Sequence, residues 1–364
     1  MSGQPEPLVS ERNPRNENEE ADEGPPSPPR PEPAPAPPGS IGRNRQALEE
    51  EALILPSLPN EISRHICSFL GVQDILCKQT VSKTFQKAAI SALEEKKKPS
   101  AGIFKTKKQL KVATDKLITC KYIKFDPKLA EEIARDYGWI MNLWDVSEIE
   151  DFSWLFAFKE KFNEDISMWN VGNGRDFRAM FLNAKAFKGD LSRWNLESAT
   201  ALDQMFAGAS SFCSDLSQWN VASVEFMIQM FAEASSFKSD LSEWDTGKAR
   251  NMTFMFLGAS SFVSDLSRWN TSNLAIAVGM FRGASSFESD LSSWNTASIR
   301  NMMGMFYNAT LFKADLSGWN VDRLPRDGIK FMFFNCSIKP EDVQHWTGWD
   351  FTLANNFRDV FVDS

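Results

Sequence analysis

The stretch Asp190–Phe212, DLSRWNLESATALDQMFAGASSF, decides the fold because its pattern returns every 25 residues. Trp194 belongs to a tryptophan column with this spacing, at positions 144, 169, 194, 219, 244, 269, 294 and 319. Phe206, Phe212 and Asp190 belong to columns that keep the same spacing. Several columns in one register indicate a repeat protein in which each copy packs against its neighbours.

Within one repeat, two hydrophobic patterns predict a strand followed by a helix. Ser192, Trp194 and Leu196 alternate along the chain, as residues on one face of a strand do. A helix is predicted by apolar residues at spacings of three and four, which here are Leu202, Met205, Phe206 and Ala209. We therefore expect an α/β solenoid of about eight 25-residue strand–helix repeats over residues 144–346, leucine-rich-repeat-like, with the strands on its inner face.

The aromatic and methionine columns are interpreted as the core of this solenoid rather than as a cofactor site. The tryptophans expected to form the core of the repeats are Trp169, Trp194, Trp219, Trp244, Trp269, Trp294 and Trp319. Copies at the ends of such an array are expected to be atypical and to act as caps. Residues 126–143, where Asp126 and Pro127 begin a helix, are the predicted N-terminal cap, and residues 347–364 the C-terminal cap.

Two polar columns accompany the core. An aspartate column runs from Asp165 to Asp315, and each carboxylate is interpreted as accepting the backbone N–H two residues later in an Asx-turn. Calcium ligation is the alternative for this column. An asparagine column, which includes Asn195 and is interrupted by Asp245, is interpreted as a hydrogen-bonded ladder between repeats.

The residue before each tryptophan varies, although the scaffold around it does not. These residues are Met168, Arg193, Gln218, Glu243, Arg268, Ser293 and Gly318. A regular scaffold with a changing outer strip is typical of solenoids that bind other proteins. We predict that Arg193, Gln218, Glu243 and Arg268 form the partner-binding strip.

The chain before the repeats falls into three parts. Residues 1–50 are rich in proline and are predicted to be a disordered tail. Residues 53–93 are apolar at helical spacing and predict a three-helix unit, whose third helix runs from about Ser82 with Phe85 and Ala89 on one side. That unit is too small to be securely stable alone. Residues 94–125 carry ten lysines and are interpreted as a basic linker.

Two family resemblances appear on these residues. Residues 58–89 resemble an F-box through Leu58-Pro59, the stretch ICSFL at 66–70, and Val81-Ser82-Lys83. That resemblance implies docking onto a Skp-type adaptor and a cullin ubiquitin ligase. The residues expected to contact the adaptor are Leu58, Pro59, Ile62, Ile66, Leu70 and Val81. Residues 137–346 resemble the BspA-like surface-protein repeat, with its WDVS…MF…A…F…DLS pattern, a family held to be leucine-rich-repeat-like.

The composition narrows the classes of function. The net charge is −8, which argues against nucleic-acid binding by bulk positive charge. The sequence has two histidines, and we find no nucleophile–base set, phosphate loop or metal cluster in it. These observations argue against an enzyme and against a bound metal or other cofactor. No membrane span or signal peptide is expected, and the free cysteines suggest the cytoplasm or the nucleus.

The sequence therefore predicts a non-catalytic adaptor of a Skp–cullin–F-box ubiquitin ligase, with an unidentified protein substrate on the solenoid. The alternatives are a surface or adhesion repeat protein and a protein-interaction scaffold outside the ligase pathway.

Overall fold

The computed structural model describes residues 103–124, 126–138, 140–325, 327–346, 349 and 358–361, all within the unit Ala52–Ser364. Helix α1 spans Lys107–Ile118 and runs into a π-helical turn, Thr119–Ile123. Helix α2 spans Pro127–Asp136, a 3₁₀ turn spans Met141–Leu143, and a short helix α3 spans Arg358–Phe361. The predicted tail and three-helix unit, residues 1–50 and 53–93, lie outside the described residues. None of the helices described is long and apolar enough to cross a membrane.

Between the helices, the repeats stack in a constant parallel register. One residue of each repeat forms a parallel β-bridge to the residue 25 positions later. The bridged residues are Asp151, Asp176, Ala201, Phe226, Asn251, Ile276 and Asn301. The 25-residue period read from the sequence is therefore the spatial period of the stack.

The helix predicted over residues 202–209 is wrong, because this part of the repeat is a series of tight turns. The N–H groups of Leu202, Gln204 and Phe206 donate to carbonyls of the next repeat, at 3.3, 2.8 and 2.9 Å. Other N–H groups close turns within the repeat, as that of Met205 does onto the Leu202 carbonyl. Apolar residues at spacings of three and four fit both a helix and these turns. In a helix, however, the backbone N–H and C=O groups would bond to each other and could not join the repeats.

We call residues 201–209, and their equivalents in the other repeats, the ladder segment. Two positions in each ladder segment have positive φ, for example Gln204 at 57° and Gly208 at 70°. Positive φ at every fourth residue turns the chain without winding it into a helix.

The strand predicted at the tryptophan is also wrong. The segment around Trp194 consists of two turns, closed by Trp194 N–H to Leu191 and Ala199 N–H to Leu196. Side chains accept backbone N–H groups that a strand would donate to its neighbour, since Asp190 and Asn195 each accept the N–H two residues later. The bridge between repeats therefore forms at Ala201, seven residues after the tryptophan.

Aromatic columns fill the interior of the stack. Phe206 and Phe212 stack within one repeat at 3.9 Å between ring centroids, and Phe206 stacks on Phe231 of the next repeat at 5.7 Å. The tryptophans from Trp169 to Trp319 are 1–3% exposed. Each indole N–H donates to a carbonyl 28 residues earlier, as Trp244 does to Leu216 at 3.0 Å. The tryptophan column thus joins consecutive repeats by packing and by hydrogen bonds.

Helix α1 closes the N-terminal end of the stack. It lies along the first ladder segment, where Lys107 Nζ contacts Asp151 at 2.9 Å and Lys111 Nζ donates to the carbonyl of Leu155 at 3.0 Å. Leu110 and Leu117 are fully buried on its inner side. The basic-linker prediction is therefore wrong for residues 103–124, because Lys107 and Lys111 bond to side chains and a carbonyl at the edge of the first repeat.

Helix α2 has the predicted start, with the Asp126 side chain accepting N–H groups of Lys128 and Leu129. It belongs to the same N-terminal cap as α1, because Lys116 of α1 pairs with Glu132 of α2.

At the C-terminal end, the register changes by two residues. Leu202 N–H donates to the carbonyl 24 residues later, but Met302 N–H donates to Gly328, which is 26 residues later. The last ladder segment then donates to helix α3, through Phe331 N–H to the Asp359 carbonyl and Phe333 N–H to Val360. The backbone of α3 thus replaces the repeat that would follow.

Candidate functional site

One side of the stack exposes every second or third residue between the second phenylalanine and the asparagine of each repeat. In one repeat, Cys213, Asp215, Gln218 and Asn220 are exposed, while the intervening Leu216 is buried. We call the exposed residues at these four positions, in all repeats, the Asp face. The predicted partner-binding strip is one column of this face.

The aspartates of this face form the predicted Asx-turns. Each accepts the backbone N–H of a serine two residues later at 2.9–3.0 Å, in the column Asp165, Asp190, Asp215, Asp240, Asp265, Asp290 and Asp315. This N–H bond is the main reason that the pKa of five of these carboxyls is lowered, namely Asp190, Asp215, Asp240, Asp265 and Asp315. The column therefore both shapes the turns and keeps the Asp face negatively charged.

The asparagine column does not form the predicted ladder between repeats. Asn195 accepts the N–H of Glu197, and Asn270 that of Ser272, so each amide closes a turn of its own repeat. Asp245 makes the same bond to Gly247, which explains why it can replace asparagine. Next to this column, hydrogen bonds between repeats come from threonine, as in Thr246 Oγ1 to the Asn270 carbonyl at 3.1 Å.

The four residues of the predicted strip are all exposed. Glu243 and Arg268, from consecutive repeats, form an ion pair of 2.9 Å with side chains 69% and 74% exposed. An ion pair this exposed contributes little to stability. It does fix the orientation of two charged side chains on the face.

A groove of about 930 Å³ lies on the Asp face beside this ion pair. Its floor includes the exposed Val263, and its charged lining comes from three consecutive repeats. The acidic residues are Asp240, Glu243, Asp265, Glu288 and Asp290, and the basic residues are Lys238 and Arg268. The excess of carboxylates makes this groove complementary to a cationic surface.

A second variable surface was missed from the sequence because it lies where a helix was predicted. We call it the ladder face: the partly exposed positions of each ladder segment, such as 203, 204 and 208. At its N-terminal end, Trp154 and Phe158 are 51% and 60% exposed, with φ of 62° and 60°. Left-handed backbone at bulky residues costs about 1–3 kcal/mol each. The signal in the sequence was that these columns vary while their neighbours do not.

Two of the three described cysteines, Cys120 and Cys336, are buried, and Cys213 is exposed. Burial raises the pKa of the Cys120 thiol, and it raises that of Cys336 to about 11. No group of three or more His, Cys, Asp or Glu side chains is placed to hold a metal ion in the part of the chain that the structure describes. The residues predicted to contact a Skp-type adaptor, Leu58 to Val81, lie outside that part.

Comparison with known proteins gives one family match. The family described as "Mycoplasma protein of unknown function, DUF285" matches residues 131–244 and, a second time, residues 227–346. These ranges agree with the BspA-like resemblance and do not include residues 58–89. No curated protein and no solved structure matches the chain. Because the matches span more than half of the chain and follow its repeats, the protein belongs to the DUF285 family.

Proposed function

We propose that the protein is a non-catalytic adaptor whose Asp face binds a protein partner. The observation that carries this proposal is the contrast within that face. Its aspartates repeat without exception, whereas the strip of Arg193, Gln218, Glu243 and Arg268 changes from repeat to repeat. A constant scaffold that holds variable, exposed side chains in fixed positions is suited to specific recognition.

The charge of the groove indicates the kind of partner. Five carboxylates face two basic side chains, one of which is already paired with Glu243. Such a surface favours a partner with lysine or arginine side chains and disfavours nucleic acid, whose phosphates it would repel. We therefore propose a protein partner with a basic binding segment.

We further propose that residues 58–89 recruit a ubiquitin ligase, as their F-box resemblance implies. Leu58, Pro59 and Ile62 would then contact a Skp-type adaptor, together with Ile66, Leu70 and Val81. The chain would contribute proximity, by holding a substrate beside the ligase, and the ubiquitin chemistry would take place on its partners.

The ion pair on the strip allows a test of partner binding that leaves the fold intact. In the double variant E243R/R268E, the two charges exchange places, so the pair and its contribution to stability are retained. We expect capture of the protein partner to fall at least tenfold while the melting temperature stays unchanged. Equal capture by the variant and the unmodified chain would contradict binding at this strip.

The ligase assignment has a separate test. The double variant P59A/I62A should lose co-purification of a Skp-type adaptor, because two of the predicted apolar contacts are removed. E243R/R268E is the matched control, and it should retain the adaptor. Adaptor recovery that is the same from both variants and from the unmodified chain would contradict the assignment.

The alternative is a surface or adhesion repeat protein, because residues 137–346 resemble the BspA-like surface-protein repeat. The alternatives separate by location. An adaptor of a ubiquitin ligase is expected inside the cell, in the cytoplasm or nucleus. An adhesion protein would be accessible to an antibody added to intact cells, and that result would contradict the ligase assignment.

A further inference from the structure

Trp154 and Phe158 are two large, exposed apolar side chains that lie four residues apart in the first repeat. They are 51% and 60% exposed, and neither ring stacks on another aromatic ring among the described residues. The left-handed backbone at these two positions does not require an aromatic side chain, since the equivalent positions of a later repeat hold Gly279 and Gly283. Two bulky side chains thus occupy unfavourable backbone positions without being buried by the fold around them.

The neighbouring contacts place this pair where the N-terminal cap meets the first repeat. Lys107 of α1 bonds to Ser153 at 2.5 Å, directly before Trp154, and Lys111 bonds to the carbonyl of Leu155 at 3.0 Å. Asp115, one turn further along, pairs with Lys159 at 3.0 Å, directly after Phe158. Helix α1 therefore runs beside both aromatic residues, and its own Val112 is 41% exposed.

The chain also enters the described structure at this place. Ile103 forms a parallel bridge with Asp145, and Phe104 N–H donates to the Asp145 carbonyl at 2.9 Å. Four residues later, Lys107 reaches Asp151 and Ser153. Ile103 therefore anchors the chain at the first repeat, four residues before the lysine that bonds to the neighbour of Trp154.

An apolar segment stands a short distance before that anchor. Residues 82–93, SKTFQKAAISAL, place Phe85, Ala89 and Leu93 at intervals of four, as on one side of a helix. Only nine residues, 94–102, separate this segment from Ile103. Leu93 is ten residues from Ile103, so at no more than about 3.5 Å per residue the segment ends within roughly 35 Å of the anchor.

We propose that Trp154 and Phe158 form a docking surface for residues 82–93 of the same chain, through Phe85, Ala89 and Leu93. The segment gains from this contact, because the 53–93 unit is too small to bury its apolar residues alone. The contact fixes the unit to the first repeat, instead of leaving it on a flexible tether. The proposal does not require that residues 58–89 bind a Skp-type adaptor.

Photo-crosslinking in the full chain tests this contact directly. The photoreactive residue p-benzoylphenylalanine replaces Trp154 or Phe158, and Val263, 47% exposed on the Asp face, is the matched control position. We expect intramolecular crosslinks from positions 154 and 158 to residues 82–93, identified by mass spectrometry of the monomer band. Position 263 should give none. Crosslinks from 154 and 158 only to a second copy, only to other segments, or to none would overturn the proposal.

Hydrogen exchange supplies a second readout with variants that keep the fold. W154G/F158G places glycine where the same columns already hold it, so the ladder segment retains its backbone. Amides of residues 82–93 should exchange at least tenfold faster in this variant, and the control V263G should leave them unchanged. Unaltered exchange in W154G/F158G would overturn the proposal. Adaptor co-purification should persist in W154G/F158G, so this result is separate from the F-box test.

Discussion

Replacing Trp244 with phenylalanine removes one hydrogen bond between consecutive repeats and leaves the aromatic column otherwise in place. The bond joins the indole N–H to the Leu216 carbonyl at 3.0 Å, and a hydrogen bond of this kind contributes about 0.5–1.5 kcal/mol. The carbonyl keeps one partner, because it also accepts the Trp219 N–H at 3.0 Å. The phenylalanine side chain also buries two fewer carbons than tryptophan, which costs about 1.6 kcal/mol more. We therefore expect W244F to lower the free energy of unfolding by about 2–3 kcal/mol.

Urea denaturation followed by circular dichroism measures this change, with an unchanged slope as the sign that the same surface unfolds. The matched control is F231L, which removes ring atoms from the same core, since Phe231 packs 6.3 Å from Trp244, but breaks no hydrogen bond. F231L removes three buried carbons and should cost about 2.4 kcal/mol, which calibrates the cost of each carbon in this core. W244F should exceed the cost of its own two carbons by the lost bond, about 1 kcal/mol. A cost for W244F no larger than the ~1.6 kcal/mol expected for the two carbons would contradict a stabilising bond from the indole N–H to the preceding repeat.

Three further predictions concern the turns, the cap and acid. D240A should lower the free energy of unfolding by about 1 kcal/mol in urea titrations, because the Ser242 N–H loses its acceptor, whereas D240N keeps an oxygen there and should cost less. K107M/K111M should destabilise the chain by about 1–2 kcal/mol, because it removes two donors to the first repeat. The control K108M, on the exposed side of the same helix, should not change the stability measurably. Equal melting temperatures for the two variants would contradict this role of the cap. The pKa of Asp190, Asp215, Asp240, Asp265 and Asp315 is lowered from 3.8, so their contribution to stability is present above the ordinary value and is lost as the pH falls through the lowered values. The urea midpoint should therefore fall as the pH is lowered from about 5 to about 2, and a midpoint that is constant over this range would contradict the prediction.

The sequence predicts well those features that depend on one side chain and its near neighbours. The Asx-turn at Asp190 follows from a carboxylate two residues before a serine N–H, and the start of α2 follows from Asp126 and Pro127. Repetition made the register readable, including its change by two residues after Trp319. None of these features needs knowledge of a distant partner.

The features that were missed depend on contacts between repeats or across the chain. Leu202, Met205 and Phe206 face the core both in a helix and in the turns observed, so hydrophobic spacing does not separate the two. What separates them is where the Leu202 N–H finds its acceptor, and that acceptor is Phe226 in the next repeat. The lysines of α1 resemble a solvated linker in sequence, because the Leu155 carbonyl that Lys111 contacts is 44 residues away.

Quantitative affinity purification of three forms of the full chain tests the central claim, that separate surfaces bind a substrate and a ligase. The unmodified chain, E243R/R268E and P59A/I62A are compared by mass spectrometry. We expect E243R/R268E to lose the substrate and keep the Skp-type adaptor and cullin, and P59A/I62A to show the reverse. Recovery of the same proteins in the same amounts from all three forms would contradict it.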